Sequence, residues 1–159
     1  MTLEASPPAD VASAAAPRIK VIFICTGNSA RSQMAEAILR NEAGDRFEVV
    51  SAGVTPRPVH PLTIEALARV GIDISEATSK PVGMFLGSRF DYVITLCDRA
   101  RLTCPVFPGG RETLHWGLDD PTELEGTLVE RKAAFDQVFT EVSGRLRRFI
   151  PLALAQAVR

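Results

Sequence analysis

The sequence predicts an α/β fold, a parallel sheet covered by helices on both faces, on three observations. Ile19-Lys20-Val21-Ile22-Phe23-Ile24 is a short β-branched run that reads as a buried central strand. A glycine-containing loop joins it directly to a helical pattern. The cycle of strand and helix then repeats, as a parallel sheet requires. With 159 residues, 46% of them hydrophobic and 23% charged, the chain can close one core but hardly two. A single domain is therefore expected over residues 18–159. Residues 1–17 are rich in Ala, Ser and Pro and read as a mobile tail, without the apolar run of a signal peptide.

The elements follow in order. Helical period begins at Ser32, with Met34, Ala35, Ile38 and Leu39 on one face and Gly44 placed to end it. Phe47 to Ala52 reads as a second strand, and Pro61 to Val70 as a helix opened by proline. Asp91 to Leu96 gives a third strand, with Glu112 to Trp116 as a fourth, short one. Phe135, Val138, Phe139, Val142, Leu146 and Phe149 keep a helical period within about residues 127–150, although Gly144 weakens its middle. This last helix is expected to pack on the sheet.

Composition excludes several classes of function. A formal net charge of −1 offers no basic surface for nucleic acid. No apolar stretch approaches the roughly 20 residues of a membrane helix. Three cysteines, Cys25, Cys97 and Cys104, are too few and odd in number for a secreted disulfide scaffold, which points to a reducing, cytoplasmic setting. His60 and His115 stand alone and no Cys-x-x-Cys pair occurs, so neither a metal nor another cofactor is called for.

Chemistry concentrates in Cys25-Thr26-Gly27-Asn28-Ser29-Ala30-Arg31-Ser32. In a turn from strand to helix, backbone N–H groups converge on one point and the helix dipole adds positive charge there. Arg31 can grip two oxygens with its planar fork. The same field favours thiolate over thiol at Cys25, making it a nucleophile. Gly27 and Asn28 tolerate the backbone geometry such a turn needs. An isolated cysteine is more often a small buried hydrophobe. Here Gly, Asn, two Ser and an Arg surround it, and these contribute little to a core. Both Gly-rich nucleotide-binding patterns are absent.

The loop, with Gln33-Met34-Ala35-Glu36, Ser51-Ala52-Gly53, Thr95-Leu96-Cys97 and His115-Trp116-Gly117-Leu118-Asp119-Asp120-Pro121, resembles the low-molecular-weight tyrosine phosphatase superfamily. Within it, the sequence is most similar to arsenate reductases of the thioredoxin-coupled class, over about residues 19–150. The resemblance implies a three-layer sandwich with a four-stranded parallel sheet flanked by helices. It implies Cys25 as nucleophile, residues 26–32 as the oxyanion cradle with Arg31 as its clamp, and Asp120 as general acid, with Asp119 as the alternative. Without the resemblance, Asp-Asp-Pro would read as a solvated turn.

Cys97 and Cys104 separate reduction from hydrolysis. Two thiols beyond the nucleophile permit a relay in which Cys97 attacks the Cys25–arsenic adduct and Cys104 then displaces Cys25. Thioredoxin is the implied reductant, with glutaredoxin or another low-molecular-weight thiol system as the alternative, arsenate the substrate, and phosphate or sulfate competing oxyanions. In a regular helix, the Cα atoms of residues seven apart lie about 10 Å apart along the axis, whereas a disulfide wants them at roughly 5.5–6 Å. The intervening segment must therefore be looped already or rearrange on oxidation, and rearrangement is expected.

Some members of this family bind a potassium ion through residues matching Asn28, Glu36 and Ser51 and an aspartate where this chain has Lys80. The Lys80 ammonium is expected to supply that charge internally. Position 30 is Ala, where several members carry a further cysteine. Asp120-Pro121-Thr122-Glu123 lacks the aromatic pair of typical phosphotyrosine enzymes. The competing readings are a phosphatase acting through a phosphocysteine, with weak phosphatase activity expected beside reduction as well, and a non-catalytic oxyanion-binding module.

Overall fold

A computed structural model describes residues 17–108 and 112–158. The expected tail, residues 1–17, lies outside the described residues apart from Pro17. Four strands, β1 (Ile19–Cys25), β2 (Phe47–Gly53), β3 (Tyr92–Thr95) and β4 (Glu112–His115), form one sheet of order β2-β1-β3-β4. All three pairings are parallel. Among the described residues four α-helices accompany them: α1 (Arg31–Ala43), α2 (Pro61–Ala68), α3 (Asp98–Thr103) and α4 (Leu128–Ala157).

The all-apolar character of β1 follows from its central place. Phe23 on one face and Ile22 and Ile24 on the other are fully buried, so both sides of the strand are covered. Aromatic rings tie one face to α4: Phe149 meets Phe47, Tyr92 and Trp116 at centroid separations of 5.9, 5.0 and 5.8 Å. Trp116 in turn meets Phe23 at 5.9 Å. Of the apolar positions picked out by period in the last helix, Phe135, Val138, Val142, Leu146 and Phe149 are buried, and Phe139 is half-buried at the edge of the core.

Three features differ from the sequence reading. Helix α4 continues past Ile150 through Pro151 to Ala157. A proline inside a helix costs about 3 kcal/mol, but this one faces solvent and the turns beyond it are anchored, Ala153 by burial and Gln156 by accepting a 2.6 Å hydrogen bond from Tyr92 Oη. Gly44 ends α1 in right-handed geometry rather than the left-handed cap that glycine often supplies; a Cβ there would sit 2.5 Å from the Arg40 carbonyl oxygen. Residues 98–103, too short for any period to be read, form α3.

Phe135 is fully buried in α4, 4.8 Å from the His60 ring that opens α2. Phe135→Ala is expected to cost about 3–5 kcal/mol, read as a lower urea midpoint; a loss under about 1 kcal/mol would contradict this packing.

Candidate active site

The loop of residues 25–32 leaves the C-terminal end of the central strand, the edge at which open parallel sheets bind ligands. Its carbonyl groups are engaged from outside. Those of Cys25, Thr26, Gly27 and Ser29 accept from the backbone amides of Val54, Thr55, Arg57 and His60, at 3.0, 2.7, 2.9 and 3.0 Å. Asn28 O accepts from Gln33 Nε2 and Ser79 Oγ, and Ala30 O from Met34 N. A trans peptide carries its N–H on the edge opposite its carbonyl. The loop amides are therefore turned away from this outer frame, toward the inside of the turn.

Asn28 makes the turn with φ of 52°, and its N–H lies 3.3 Å from Cys25 Sγ. Ser32 Oγ is 2.9 Å from the same sulfur. Helix α1 starts at Arg31 with no side-chain cap, which leaves the amides of its first turn to the loop. Gly53 lets β2 come this close: a Cβ there would sit 2.8 Å from both Asn28 N and Gly27 C.

Asn28, Ser51, Glu36 and Lys80 come together under the loop. Asn28 Nδ2 donates to Ser32 Oγ and Ser51 Oγ at 2.7 and 2.9 Å, and Ser51 Oγ donates to Glu36 Oε1. Lys80 Nζ lies 3.7 Å from that oxygen, and Lys80 N donates to Asn28 Oδ1 at 2.9 Å. Arg40 holds the other Glu36 oxygen. The buried carboxylate is thus flanked by two cations.

Arg31 is 5% exposed, donates to Leu118 O at 3.1 Å, and lies 3.3 Å from Asp120 Oδ2. The other Asp120 oxygen accepts from Thr122 N and Oγ1, opening the short 3₁₀ turn Pro121–Glu123. Asp119, by contrast, is exposed. A cavity of about 410 Å³ lies behind these residues, between that turn and α4, lined by Asp119, Asp120, Leu124 and Glu141 but not by Cys25.

Cys97 caps α3: its sulfur accepts from Ala100 N at 3.3 Å and lies 3.1 Å from Thr26 Oγ1. Cys104 stands at the other end of that helix, half-buried, and burial pushes its thiol above the ordinary range. All three cysteines are free.

Three side chains in this frame went unassigned from sequence. Gln33 Nε2 gathers Asn28 O, Asn28 Oδ1 and Thr78 O, and its place just after the loop was the one available signal. His60 accepts from Leu62 N as the cap of α2. Arg57 Nη2 reaches to 3.8 Å from Asp120 Oδ2. Among the described residues no His, Cys, Asp and Glu cluster could hold a metal ion, and no helix is long and apolar enough to cross a membrane.

A sulfur met by an amide and a hydroxyl, inward-turned amides and a buried guanidinium on one loop suit a tetrahedral oxyanion presented to a thiol, as in the class of cysteine-dependent oxyanion enzymes. The chain belongs to the low molecular weight phosphotyrosine protein phosphatase family, whose model matches residues 20–159. It is 43% identical over 129 residues to an arsenate reductase of Halalkalibacterium halodurans, covering 81% of this chain and 93% of the relative. An arsenate reductase of Bacillus subtilis is 41% identical with the same coverage. Among solved structures, an arsenate reductase in the phosphate-binding state superposes with a TM-score of 0.67 and 33% identity, over 84% of this chain and 97% of that one. A thioredoxin-dependent arsenate reductase of Corynebacterium glutamicum gives 0.58 and 33%, over 88% and 71%.

Burial, and then the charge of Arg131, hold His60 below its ordinary pKa, with Asp120 acting in the opposite sense. The unfolded chain therefore takes up this proton at a higher pH than the folded one. Stability from His60 is full above about pH 6.5 and is lost as pH falls through the lowered folded value. The denaturation midpoint is expected to drop between about pH 7.5 and 5.5, and His60→Asn, which keeps a capping acceptor, to flatten that slope. An unchanged slope would count against this assignment.

Proposed function

We propose that this chain reduces arsenate to arsenite, with Cys25 as nucleophile, Arg31 as clamp, Asp120 as acid, and Cys97 and Cys104 as relay thiols. The carrying observation is that two further free thiols flank a helix beside the loop, with Thr26 Oγ1 linking the nearer one to it. The relatives named arsenate reductase support the same reading.

Cys25 sulfur attacks arsenic(V), forming an S–As bond, while Asp120 gives its proton to the departing oxygen, which leaves as water. Cys97 then attacks Cys25 sulfur. A disulfide forms, the electron pair of the S–As bond stays on arsenic, and arsenite departs with arsenic(III). Cys104 next attacks Cys97 and releases Cys25, leaving Cys97–Cys104. Six residues of helix stand between Cys97 and Cys104, and in a regular helix Cα atoms seven positions apart lie about 10 Å apart along the axis, so α3 unwinds as that bond closes. A dithiol protein such as thioredoxin reduces it; the Corynebacterium relative supports that choice. Phosphate and sulfate compete for the cradle.

Asn28, Glu36, Ser51 and Lys80 hold the loop from below, with the Lys80 ammonium taking the place of a bound potassium ion. Support comes from its 3.7 Å approach to Glu36 and its largely buried stem. Activity is accordingly expected to be the same in potassium and sodium salts; a marked stimulation by potassium would contradict it.

Hydrolysis of a phosphomonoester through a phosphocysteine uses the same cradle, and the family match supports it as a weak side activity. Single-turnover assays separate the two. Arsenite release with loss of two titratable thiols is expected, and phosphate release from a phosphomonoester without thiol loss would make hydrolysis the main function. Cys25→Ser should abolish both activities, while Cys104→Ser should complete one turnover and then stop. Normal cycling of Cys104→Ser with thioredoxin would break the relay.

A further inference from the structure

We propose that Arg57 is a second cationic ligand of the tetrahedral oxyanion, closing over the loop mouth beside Arg31. This rests on the oxyanion reading of the loop and adds a specificity-determining residue to it.

The side chain lies over the loop itself. A Cβ built on Gly27 would meet Arg57 Nε at 2.9 Å and Nη2 at 3.2 Å, so the guanidinium covers the one loop position that has no side chain. Arg57 and Arg31 converge on the same oxygen, Asp120 Oδ2, at 3.8 and 3.3 Å. Two guanidiniums therefore face one carboxylate at the entrance.

Its backbone is fixed while its tip is free. Arg57 N donates to Gly27 O, and Arg57 O accepts from Ser79 Oγ. Pro56 and Pro58 flank it, and a following proline confines a residue to extended backbone. The side chain, in contrast, is 50% exposed, and Asp120 is its only ion-pair partner among the described residues, beyond hydrogen-bond length. A pinned base with a loosely held cation is how a residue can swing a short distance onto an incoming anion.

Charge balance gives it a task. One Arg31 amino group is committed to Leu118 O, and its other already faces Asp120. A dianionic oxyanion entering beside a nucleophilic sulfur leaves negative charge that one guanidinium does not match. Arg57 supplies the second positive charge, and a planar fork binds two oxygens better than a lysine ammonium does.

The test uses the full chain carrying Cys97→Ser and Cys104→Ser, so that alkylation by iodoacetamide reports on Cys25. Inorganic phosphate and arsenate should each protect it, and Arg57→Gln should raise the half-protecting concentration about 10-fold, a typical value for one charge-assisted contact. Arg57→Lys should recover part of that loss. In the three-cysteine chain, KM for arsenate should rise in parallel while kcat stays within about 2-fold. Unchanged protection, or a loss confined to kcat, would make Arg57 a positioning partner of Asp120 and overturn the proposal. Equal losses for Gln and Lys with a lowered melting midpoint would make it a structural strut, overturning it as well. If phosphate and arsenate fail to protect the chain with Arg57 intact, the oxyanion reading itself falls, and that failure is told apart by occurring before any change at Arg57.

Discussion

The site depends on one constraint: the carbonyls of residues 25–29 are held from outside the loop, so the amides on the opposite edges of those peptides turn inward. Peptide planarity couples the two edges, and the outer segment therefore sets where an anion can sit. That segment begins at the end of β2, where Gly53 allows close approach, and continues through His60 into α2. Sheet register thus reaches the chemistry directly. A shift of β2 against β1 would misplace Val54, Thr55 and Arg57 together.

Around this frame, charge is arranged in shared carboxylates. Glu36 stands between Arg40 and Lys80 beneath the loop, and Asp120 between Arg31 and Arg57 above it. Buried or half-buried charges persist only when paired, and each carboxylate also takes hydroxyl donors, Ser51 and Thr122 respectively. The lower group is closed among protein side chains. The upper one includes the half-exposed Arg57 and so keeps a face toward entering ligands.

Much of this was legible in the sequence, for physical reasons. Strands β1 and β3 announced themselves as β-branched runs because burial on both faces leaves no polar alternation, and Phe135 to Phe149 kept a helical period because α4 buries one face. The loop was readable because Gly, Asn, Ser and Arg around a cysteine have little use in a core, and Lys80 stood out only against its relatives. Arg57 was not readable: its role comes from a meeting with Gly27 and Asp120 across the fold, and nothing in Thr-Pro-Arg-Pro signals it. The course of α4 beyond Ile150 was hidden because Pro151 locally argues for a stop, while the anchors at Ala153 and Gln156 act through tertiary contacts.

The placement of Cys97 and Cys104 at opposite ends of α3 bears on the resting protein as well as the working one. An intact helix acts as a spacer that keeps the pair apart, and Cys97 is further occupied with capping that helix and facing Thr26. Under the proposed relay, stray oxidants then find no ready dithiol to close. The spacer serves as a safety catch, sparing the cell's reducing equivalents until an arsenic adduct draws Cys97 from its cap.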